Sequence, residues 1–193
     1  MKDEMMIFRR NAILANLCKE WNDMWGACHG DKGKLTRLVL MRQSAPYFAS
    51  FCYNGAGLTK EYCKREFADY INGRVFNDVD GVKGFTSAIY IDPPTGLKIG
   101  LDTVQMLWCG NVDVEIEKTK CPTLYVSNRS SVNLTLDGYS VVTIYLFDES
   151  KVNIVDCDDT CEVIVYKYSD ISDVELGKYC IGKVKIFNKT LRL

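Results

Sequence analysis

The feature that most constrains the fold is a short apolar motif that returns about every ten residues in the C-terminal half of the chain. Each unit begins with valine and has a second apolar residue two positions later. The six clearest units are Val132-Asn133-Leu134, Val142-Thr143-Ile144, Val152-Asn153-Ile154, Val163-Ile164-Val165, Val174-Glu175-Leu176 and Val184-Lys185-Ile186. Polar turn residues separate them. An apolar residue at every second position predicts short strands with one buried face.

Two architectures produce strands at this spacing, and the uniformity of the units separates them. An antiparallel β-sandwich or barrel is joined mostly by hairpins, but Asp137-Gly138 is the only dipeptide here that favours a tight hairpin. A β-solenoid stacks successive units, so the same residue type recurs at the same point. The recurrent valine therefore predicts a β-solenoid of about ten-residue repeats, with the antiparallel β-sandwich as the alternative.

The N-terminal part of the chain has the three- and four-residue spacing of amphipathic helices. This spacing predicts one helix from Ile13 to Trp25, and Asp31 is expected to cap a second helix. Tyr47 to Tyr53 is a third, aromatic segment. Thr59 is a good N-cap for a fourth helix, which Asn72-Gly73 would end.

The change of period along the chain divides it into three segments. Residues 1–74 are predicted to form a small helical domain. Residues 75–102 are predicted to be connecting strands and a turn, since strand-like Phe85 to Ile91 precedes the rigid turn Asp92 to Gly96. Residues 103–193 are predicted to form the solenoid domain. The predicted fold class is therefore α+β.

Composition argues against several classes of function. The net charge of −1 gives no bulk electrostatic reason to expect a nucleic-acid partner. No apolar run approaches the ~18 residues that would predict a membrane span. The nine cysteines are scattered, and the N-terminus lacks the apolar stretch of a signal peptide. We therefore expect a reducing cytoplasm, with most thiols acting as small apolar side chains.

The reactive side chains predict no catalytic site, metal or cofactor. His29 is the only histidine, and neither it nor Cys28 has further ligands at metal spacing. The densest cluster, Asp156 to Cys161, holds two thiols and three carboxylates. A divalent cation is one interpretation, but the spacing matches neither a Cys-x-x-Cys pair nor a calcium loop. A solvated turn is favoured, with Cys157 and Cys161 packing at strand ends.

Paired carboxylates for glycoside cleavage are the remaining enzymatic hypothesis. Glycosidases need two carboxyl groups about 5 to 9 Å apart in a cleft. The candidate pairs are Glu115 with Glu117 and Asp137 with Asp148. Solenoid enzymes of the pectate-lyase type have coils of more than about twenty residues and are far larger. We therefore predict that the protein is not an enzyme.

Aromatic residues in the repeats form the first candidate binding surface. Alternation places some of their rings outside the core, where a row of rings would bind a protein or a sugar ring. The alternative is cross-strand packing on a half-covered sheet. The predicted row consists of Tyr125, Tyr139, Tyr145, Phe147, Tyr166 and Tyr168.

Basic residues of the helical region form a second candidate site. A protein that binds a nucleotide signal would need cations and aromatic rings around a pocket. The candidates are Arg37, Lys64 and Arg65, with Arg42 and Lys60 nearby in the sequence.

Three stretches of the helical region carry a resemblance to known proteins: Leu17 to Asn22, Gly57 to Tyr62 and Phe67 to Gly73. They resemble the front of small accessory proteins of phages and prophages of gut Bacteroidetes. Those proteins are similar to this chain in also ending in strand repeats, matched here by Ser130 to Leu134. The resemblance covers most of the chain and carries no catalytic motif. It implies a phage-encoded accessory role, in the virion or in the cytoplasm of the bacterial host.

Three functions follow as hypotheses. The first is a non-enzymatic interaction or structural module, in which a rigid solenoid presents a flat face to a protein partner or, through its last strand, to another copy. The second is an inhibitor of a host defence system that binds an immune protein or its nucleotide signal. The third is a glycan-binding or glycan-cleaving solenoid.

Overall fold

The computed structural model describes residues 4–14, 18–53 and 58–190, and it has helices followed by a β-solenoid of about five turns. The predicted α+β fold is thus confirmed. The helices in these ranges are α1 Glu4–Leu14, α2 Lys19–Ala27, α3 Lys32–Leu40, α4 Ala45–Tyr53 and α5 Lys60–Glu66. None of these helices is long and apolar enough to cross a membrane.

Side-chain caps explain where two of the helices begin. Asp31 accepts a hydrogen bond from the backbone N–H of Lys34 at 3.0 Å, as its predicted capping role requires. Thr59 Oγ1 accepts one from the N–H of Tyr62 at 3.1 Å, which confirms the predicted start of α5.

Two predicted helix boundaries are wrong. Separate helices α1 and α2 stand where the spacing predicts a single helix, and Leu17 lies outside the described residues. Helix α5 ends at Glu66, and the side chain of Asn72 instead exchanges two hydrogen bonds with the backbone of Ile91. Apolar spacing identifies the buried side of a helix, but the surface beneath decides where the chain must turn.

The strands of the described ranges form two sheets. They are β1 Phe76–Asn77, β2 Thr86–Ile91, β3 Leu97–Ile99, β4 Val104–Trp108, β5 Val112–Ile116, β6 Thr123–Val126, β7 Ser131–Leu136, β8 Val141–Leu146, β9 Lys151–Cys157, β10 Glu162–Lys167, β11 Asp173–Leu176 and β12 Val184–Asn188. The seven-stranded sheet has the order β1-β2-β4-β6-β8-β10-β12, and the five-stranded sheet β11-β9-β7-β5-β3. All neighbouring strands are parallel except β1, which is antiparallel to β2.

One full coil consists of two of the ten-residue units, because successive strands alternate between the sheets. Val132 therefore lies beside Val112 and Val152 in the five-stranded sheet. Val142 lies beside Val163 in the seven-stranded sheet. The stacked columns are built from every second unit of the repeat.

The coils begin at β2, earlier than the predicted boundary at residue 103. Strands β2 and β3 come from the segment predicted as a connection, and they pair in parallel with β4 and β5. The repeat is hard to see there because β2 and β4 are buried on both faces. Strands covered on both sides lose the alternation of apolar and polar residues.

The coils lengthen along the solenoid, and the added residues lie in the turns except for Val155, which forms a bulge inside β9 between Ile154 and Asp156. In the seven-stranded sheet Ala88 pairs with Gln105, 17 residues later, whereas Val163 pairs with Val184, 21 residues later. An extra residue inside a strand would turn its apolar side chains to the opposite face. Turns absorb the change without that penalty.

The interior of the solenoid is a dry stack of aliphatic side chains. Val142, Ile144, Val163 and Val165 of the seven-stranded sheet are fully buried. They pack against equivalent residues of the five-stranded sheet, such as Ile154. Each layer repeats the one before it, so the same small set of β-branched and leucine side chains fills the core.

The helices cover part of the outer face of the seven-stranded sheet. Helix α3 lies on β4, and α4 lies on β4 and β6. Phe48 of α4 stacks on Trp108 of β4 with 5.1 Å between the ring centroids. Phe8, Trp25 and Ile91 belong to the same buried cluster. The helices and the outer face of the sheet therefore share one apolar core.

Candidate interaction surface

A column of stacked rings runs along the outer face of the seven-stranded sheet. Tyr125 of β6, Tyr145 of β8, Tyr166 of β10 and Phe187 of β12 are paired in register. Their successive ring centroids are 4.9, 5.3 and 5.6 Å apart, with interplanar angles of 8°, 26° and 27°. Neighbouring strands lie about 4.8 Å apart, so rings at equivalent positions come face to face.

A second, shorter column lies beside the first. Phe147 and Tyr168 stack with centroids 5.1 Å apart at 9°. Tyr168 also lies 6.0 Å from Tyr145, which joins the two columns. These six residues of the two columns are hereafter the aromatic ladder.

The residue types of the long column change where the helices stop covering it. Beneath the helices, the same column continues as Ile89 and Met106, which are both buried. At the edge of the helical region it becomes tyrosine. Aliphatic side chains suit a position with protein on every side, whereas tyrosine suits one where water reaches its hydroxyl group.

Solvent exposure increases along the aromatic ladder away from the helices. Tyr125 and Phe147 are buried. Tyr145, Tyr166 and Tyr168 are half-buried, and Phe187 is 44% exposed. The last four of these residues, which we call the uncovered rungs, form an aromatic surface that the described helices leave open.

The aromatic ladder presents ring edges and hydroxyl groups, because its inner rings already stack on one another. Tyr145 and Tyr166 each have a stacked ring on both sides. Burial raises the pKa of Tyr145, and the neighbouring Tyr168 and Tyr166 add to the shift. Burial and Tyr166 likewise raise the pKa of Tyr168. Both hydroxyls are therefore neutral hydrogen-bond donors at physiological pH.

Tyr139 does not belong to the aromatic ladder, although the sequence places it in the same row. It lies in the turn between β7 and β8, is 62% exposed and has a φ of 62°. The ammonium group of Lys118 lies 5.7 Å from its ring centroid. Alternation assigns faces only within a strand, and Tyr139 is two residues before β8 begins.

The basic residues predicted for a nucleotide signal serve separate contacts. Arg37 donates a hydrogen bond to the backbone oxygen of Asn77 at 2.8 Å. Arg65 pairs with Glu66 at 2.9 Å, within its own helical segment. Arg42 lies over the ring of Phe85 at 4.4 Å. The apolar cavity between the helices and the sheet, and the groove on the five-stranded sheet, are both lined by other residues.

Lys64 and Lys60 instead attach helix α5 to the first coil. Their ammonium groups lie 2.7 and 3.1 Å from the carboxylate of Asp92, which also accepts the N–H of Gly110 at 2.7 Å. Burial alone would raise the pKa of Asp92, but the hydrogen bonds from Lys64, Gly110 and Lys60 together lower it. Asp92 is therefore a structural anion between the helices and the solenoid.

The carboxylates proposed for glycoside cleavage include one in an ion pair and two at opposite ends of a strand. Glu115 pairs with Lys98 at 2.7 Å on the outer face of the five-stranded sheet. Asp137 precedes β8 and Asp148 follows it. A six-residue strand spans about 20 Å, so these two groups are too far apart for that chemistry.

Asp148 stabilises a turn. Its carboxylate is 5% exposed and accepts the backbone N–H groups of Asn128 and Arg129 at 2.6 and 3.2 Å. Both of those residues have positive φ. Burial raises the pKa of Asp148, while the hydrogen bonds from Ser150, Asn128 and Arg129 oppose the rise. The interpretation of turn aspartates as structural residues fits this geometry.

The cysteines near the Asp156 to Cys161 cluster are packed inside the last coils. Cys157, Cys161 and Cys180 are buried, and the thiol of Cys161 lies 3.0 Å from the backbone oxygen of Asp137. Burial raises the pKa of Cys157 to about 12, and the neighbouring Cys161 and Cys180 add to the shift. Among the described residues, no group of three or more potential ligands is placed to hold a metal ion.

Phe187 is the residue of the aromatic ladder that the sequence prediction misses. The signal for it is present, because an aromatic residue directly follows the second apolar residue in three units of the seven-stranded sheet. Those residues are Tyr145 after Ile144, Tyr166 after Val165 and Phe187 after Ile186. This aromatic pattern becomes visible only when every second unit is aligned, since alternate units belong to the other sheet.

Comparison of the chain with protein-family models, with curated protein sequences and with solved structures finds no significant match. The function is therefore inferred from the geometry of the aromatic ladder and from the contacts around it.

Proposed function

We propose that this protein is a non-enzymatic interaction module that binds a protein partner on the uncovered rungs Tyr145, Tyr166, Tyr168 and Phe187. The observation that carries the proposal is the half-exposed run of stacked rings beside the helices. Tyrosine is the residue type that protein interfaces favour most, because it offers a large rigid area and a polar group. Stacking also fixes the rings in advance, which lowers the entropic cost of binding.

A protein fits the uncovered rungs better than a glycan does. Sugar rings bind to the free face of an aromatic ring, but Tyr145 and Tyr166 have both faces stacked. Ring edges and hydroxyl groups spaced about one strand apart instead match the mixed apolar and hydrogen-bonding surface of a folded protein.

The setting we propose for this interaction is that of a phage or mobile-element accessory protein. It is taken from the resemblance of the helical segments and the strand repeats to such proteins. A virion protein and a bacterial defence protein are both partners of the proposed chemical kind. Binding of a nucleotide signal has less support, because Arg37, Lys64 and Arg65 are separated and engaged in other contacts.

The test is a quantitative comparison of partner capture by tagged variants expressed in the bacterial host. Tyr166→Ser and Phe187→Ser each remove a ring of the uncovered rungs, and Tyr139→Ser is a matched control at an exposed position away from them. We expect one partner to be captured by the wild type and by Tyr139→Ser, and to be lost at least ~10-fold from the two other variants, since central aromatic residues at interfaces contribute about 2 kcal/mol or more.

Three outcomes would overturn the proposal. Equal capture by all variants would place the binding site elsewhere. Capture that is abolished by a soluble glycan would indicate a glycan ligand. Saturable binding of a nucleotide by calorimetry, unchanged in Tyr166→Ser, would favour the nucleotide hypothesis.

A further inference from the structure

The last coil of the described chain leaves the end of the solenoid core open. Val163 and Val165 are fully buried, but the residues that stack on them, Val184 and Ile186, are half-buried and 44% exposed. Large apolar side chains that are exposed in the same coil are Ile171, Tyr179, Ile181, Ile186 and Phe187. Five large apolar side chains exposed in one coil leave more apolar surface at this end of the solenoid than in its earlier coils.

The backbone of β12 also has one unpaired edge. The O of Lys183 accepts a hydrogen bond from Val163, and the N–H of Lys189 donates one to Lys167, so residues of odd number face β10. Backbone groups of Val184, Ile186 and Asn188 therefore point away from the sheet. No strand within the described residues pairs with that side of β12.

The lysines in β12 and next to its ends do not protect this edge in the usual way. Charged side chains on an edge strand prevent association when they stay free in solvent. Here Lys185 pairs with Glu162, Lys183 pairs with Asp159 at 2.7 Å, and Lys189 lies 5.5 Å from the ring centroid of Tyr166. Each cation is thus engaged by the chain's own preceding coil.

We propose that β12 is a dimerisation edge, and that two copies of this chain join end to end by antiparallel pairing of their β12 strands across a two-fold axis at Ile186. A two-fold contact must be self-complementary, with each residue meeting its counterpart twice. Pairing centred on Ile186 places Lys185 of one copy opposite Phe187 of the other, so the aliphatic part of each Lys185 packs on a Phe187 ring while its ammonium group stays with Glu162. It also covers the exposed ends of both cores.

The proposed dimer goes beyond the proposed function and has a consequence for it. Antiparallel neighbours in one sheet keep their outer faces on the same side. Both sets of uncovered rungs would then form one continuous surface with two equivalent binding sites. A partner with a repeated surface would bind such a dimer more tightly than it binds a single copy, without any new type of contact.

Sedimentation velocity and light scattering on the wild-type chain and two variants test the dimer. Ile186→Lys brings two charges together at the axis, and Val155→Lys is the matched control, a 48% exposed aliphatic residue on a strand of the other sheet. We expect the wild type and Val155→Lys to have twice the 21.9 kDa mass of one chain. We expect the dimer dissociation constant of Ile186→Lys to be at least ~100-fold higher, since like charges at an interface centre cost several kcal/mol.

A cross-linking experiment tests the same geometry independently of how Ile186→Lys folds. Ile186 would face its counterpart as a hydrogen-bonded pair, with the two Cα atoms about 5.5 Å apart, within the range of a disulfide. We expect Ile186→Cys to give a disulfide-linked dimer with oxidised glutathione, which accepts the two electrons and two protons that the thiols lose. With the exposed Cys18 and Cys121 replaced by serine in every chain, Val155→Cys and the chain without an added cysteine should give none.

A wild type that is monomeric at high concentration would overturn the proposal, and would leave the edge for a different protein. A dimer that persists in Ile186→Lys, or Val155→Cys cross-linking as well as Ile186→Cys, would place the contact elsewhere. These outcomes concern only self-association. Loss of partner capture by Tyr166→Ser in a protein that remains dimeric concerns only the proposed function.

Discussion

The two outer faces of the solenoid belong to the same coils but carry different types of residue. On the face of the seven-stranded sheet, one column is apolar or aromatic in every strand from β2 to β12. The face of the five-stranded sheet carries a row of polar groups, in which Asn153 donates to Asn133 at 3.3 Å and Asn133 donates to Asp113 at 2.8 Å.

The difference shows that the residue types in a stacked column depend on what the column contacts. The interior imposes the same requirement on both sheets, so their inner faces are nearly identical. The outer faces respond to what lies on them, which is the helical region on one side and solvent on the other. The column that begins beneath the helices is apolar and then aromatic, and the column on the open five-stranded face is made of amides and charges.

The largest loss of stability is expected when the contact between the helices and the sheet is removed. Trp108→Ala removes the ring that stacks on Phe48 at the centre of the shared core. We expect it to lower the free energy of unfolding by about 3–5 kcal/mol, because the cavity cannot be filled by neighbours. Urea denaturation followed by circular dichroism measures the loss.

Tyr139→Ala is the control for that substitution, since its ring is exposed on a turn. A loss within about 0.5 kcal/mol is expected there. Equal losses for the two variants would mean that the helices do not depend on the covered face.

A smaller loss of stability is expected when the ion pairs between helix α5 and the first coil are removed. Asp92→Asn keeps the shape of the side chain but removes the ion pairs with Lys60 and Lys64. We expect a loss of about 1–2 kcal/mol at neutral pH, because hydrogen bonds to a charged group are worth more than neutral ones.

The stabilising contribution of Asp92 is expected to disappear at acidic pH. The pKa of Asp92 is lowered on folding, so its stabilising contribution is complete above the ordinary aspartate value of 3.8 and is lost as pH falls through the folded pKa. Denaturation of wild type and Asp92→Asn across acidic pH should therefore show two curves that converge. A constant difference down to the lowest pH would contradict the role assigned to the carboxylate.

The smallest effect concerns the polar face. Asn133→Asp replaces an amide donor with a second carboxylate beside Asp113. We expect a loss of about 0.5–1 kcal/mol from the like-charge contact, and less at high salt because the groups are exposed.

The double variant Asp113→Asn with Asn133→Asp restores one amide beside one carboxylate. It should recover most of the lost stability in the same denaturation experiment. A double variant that is no more stable than Asn133→Asp would indicate that backbone pairing alone holds these strands in register.

The sequence predicted the solenoid because its inner columns obey one rule in every layer. Valine recurs at the start of six units since each unit meets the same neighbours above and below. Strands β2 and β4 do not show this pattern, because burial on both faces removes the alternation of apolar and polar residues.

The candidate surface was only partly predictable, for a different physical reason. Five residues of the aromatic ladder were identified from alternation, but which rings the helices cover depends on how α4 lies across β4 and β6. No local pattern encodes that placement. Arg37 and Lys64 suggested an anion site because the sequence does not show that a backbone oxygen and Asp92 engage them.

The coils lengthen mainly through their turns, so the length of the solenoid can change only in steps of whole coils. The described helices contact β4 and β6, so the coils after β8 are held mainly by their neighbours in the stack. Loss or duplication of one later coil would move the end of the solenoid by one strand spacing, about 4.8 Å. The distance between the helices and the far end is therefore a quantity that selection can adjust without redesigning either.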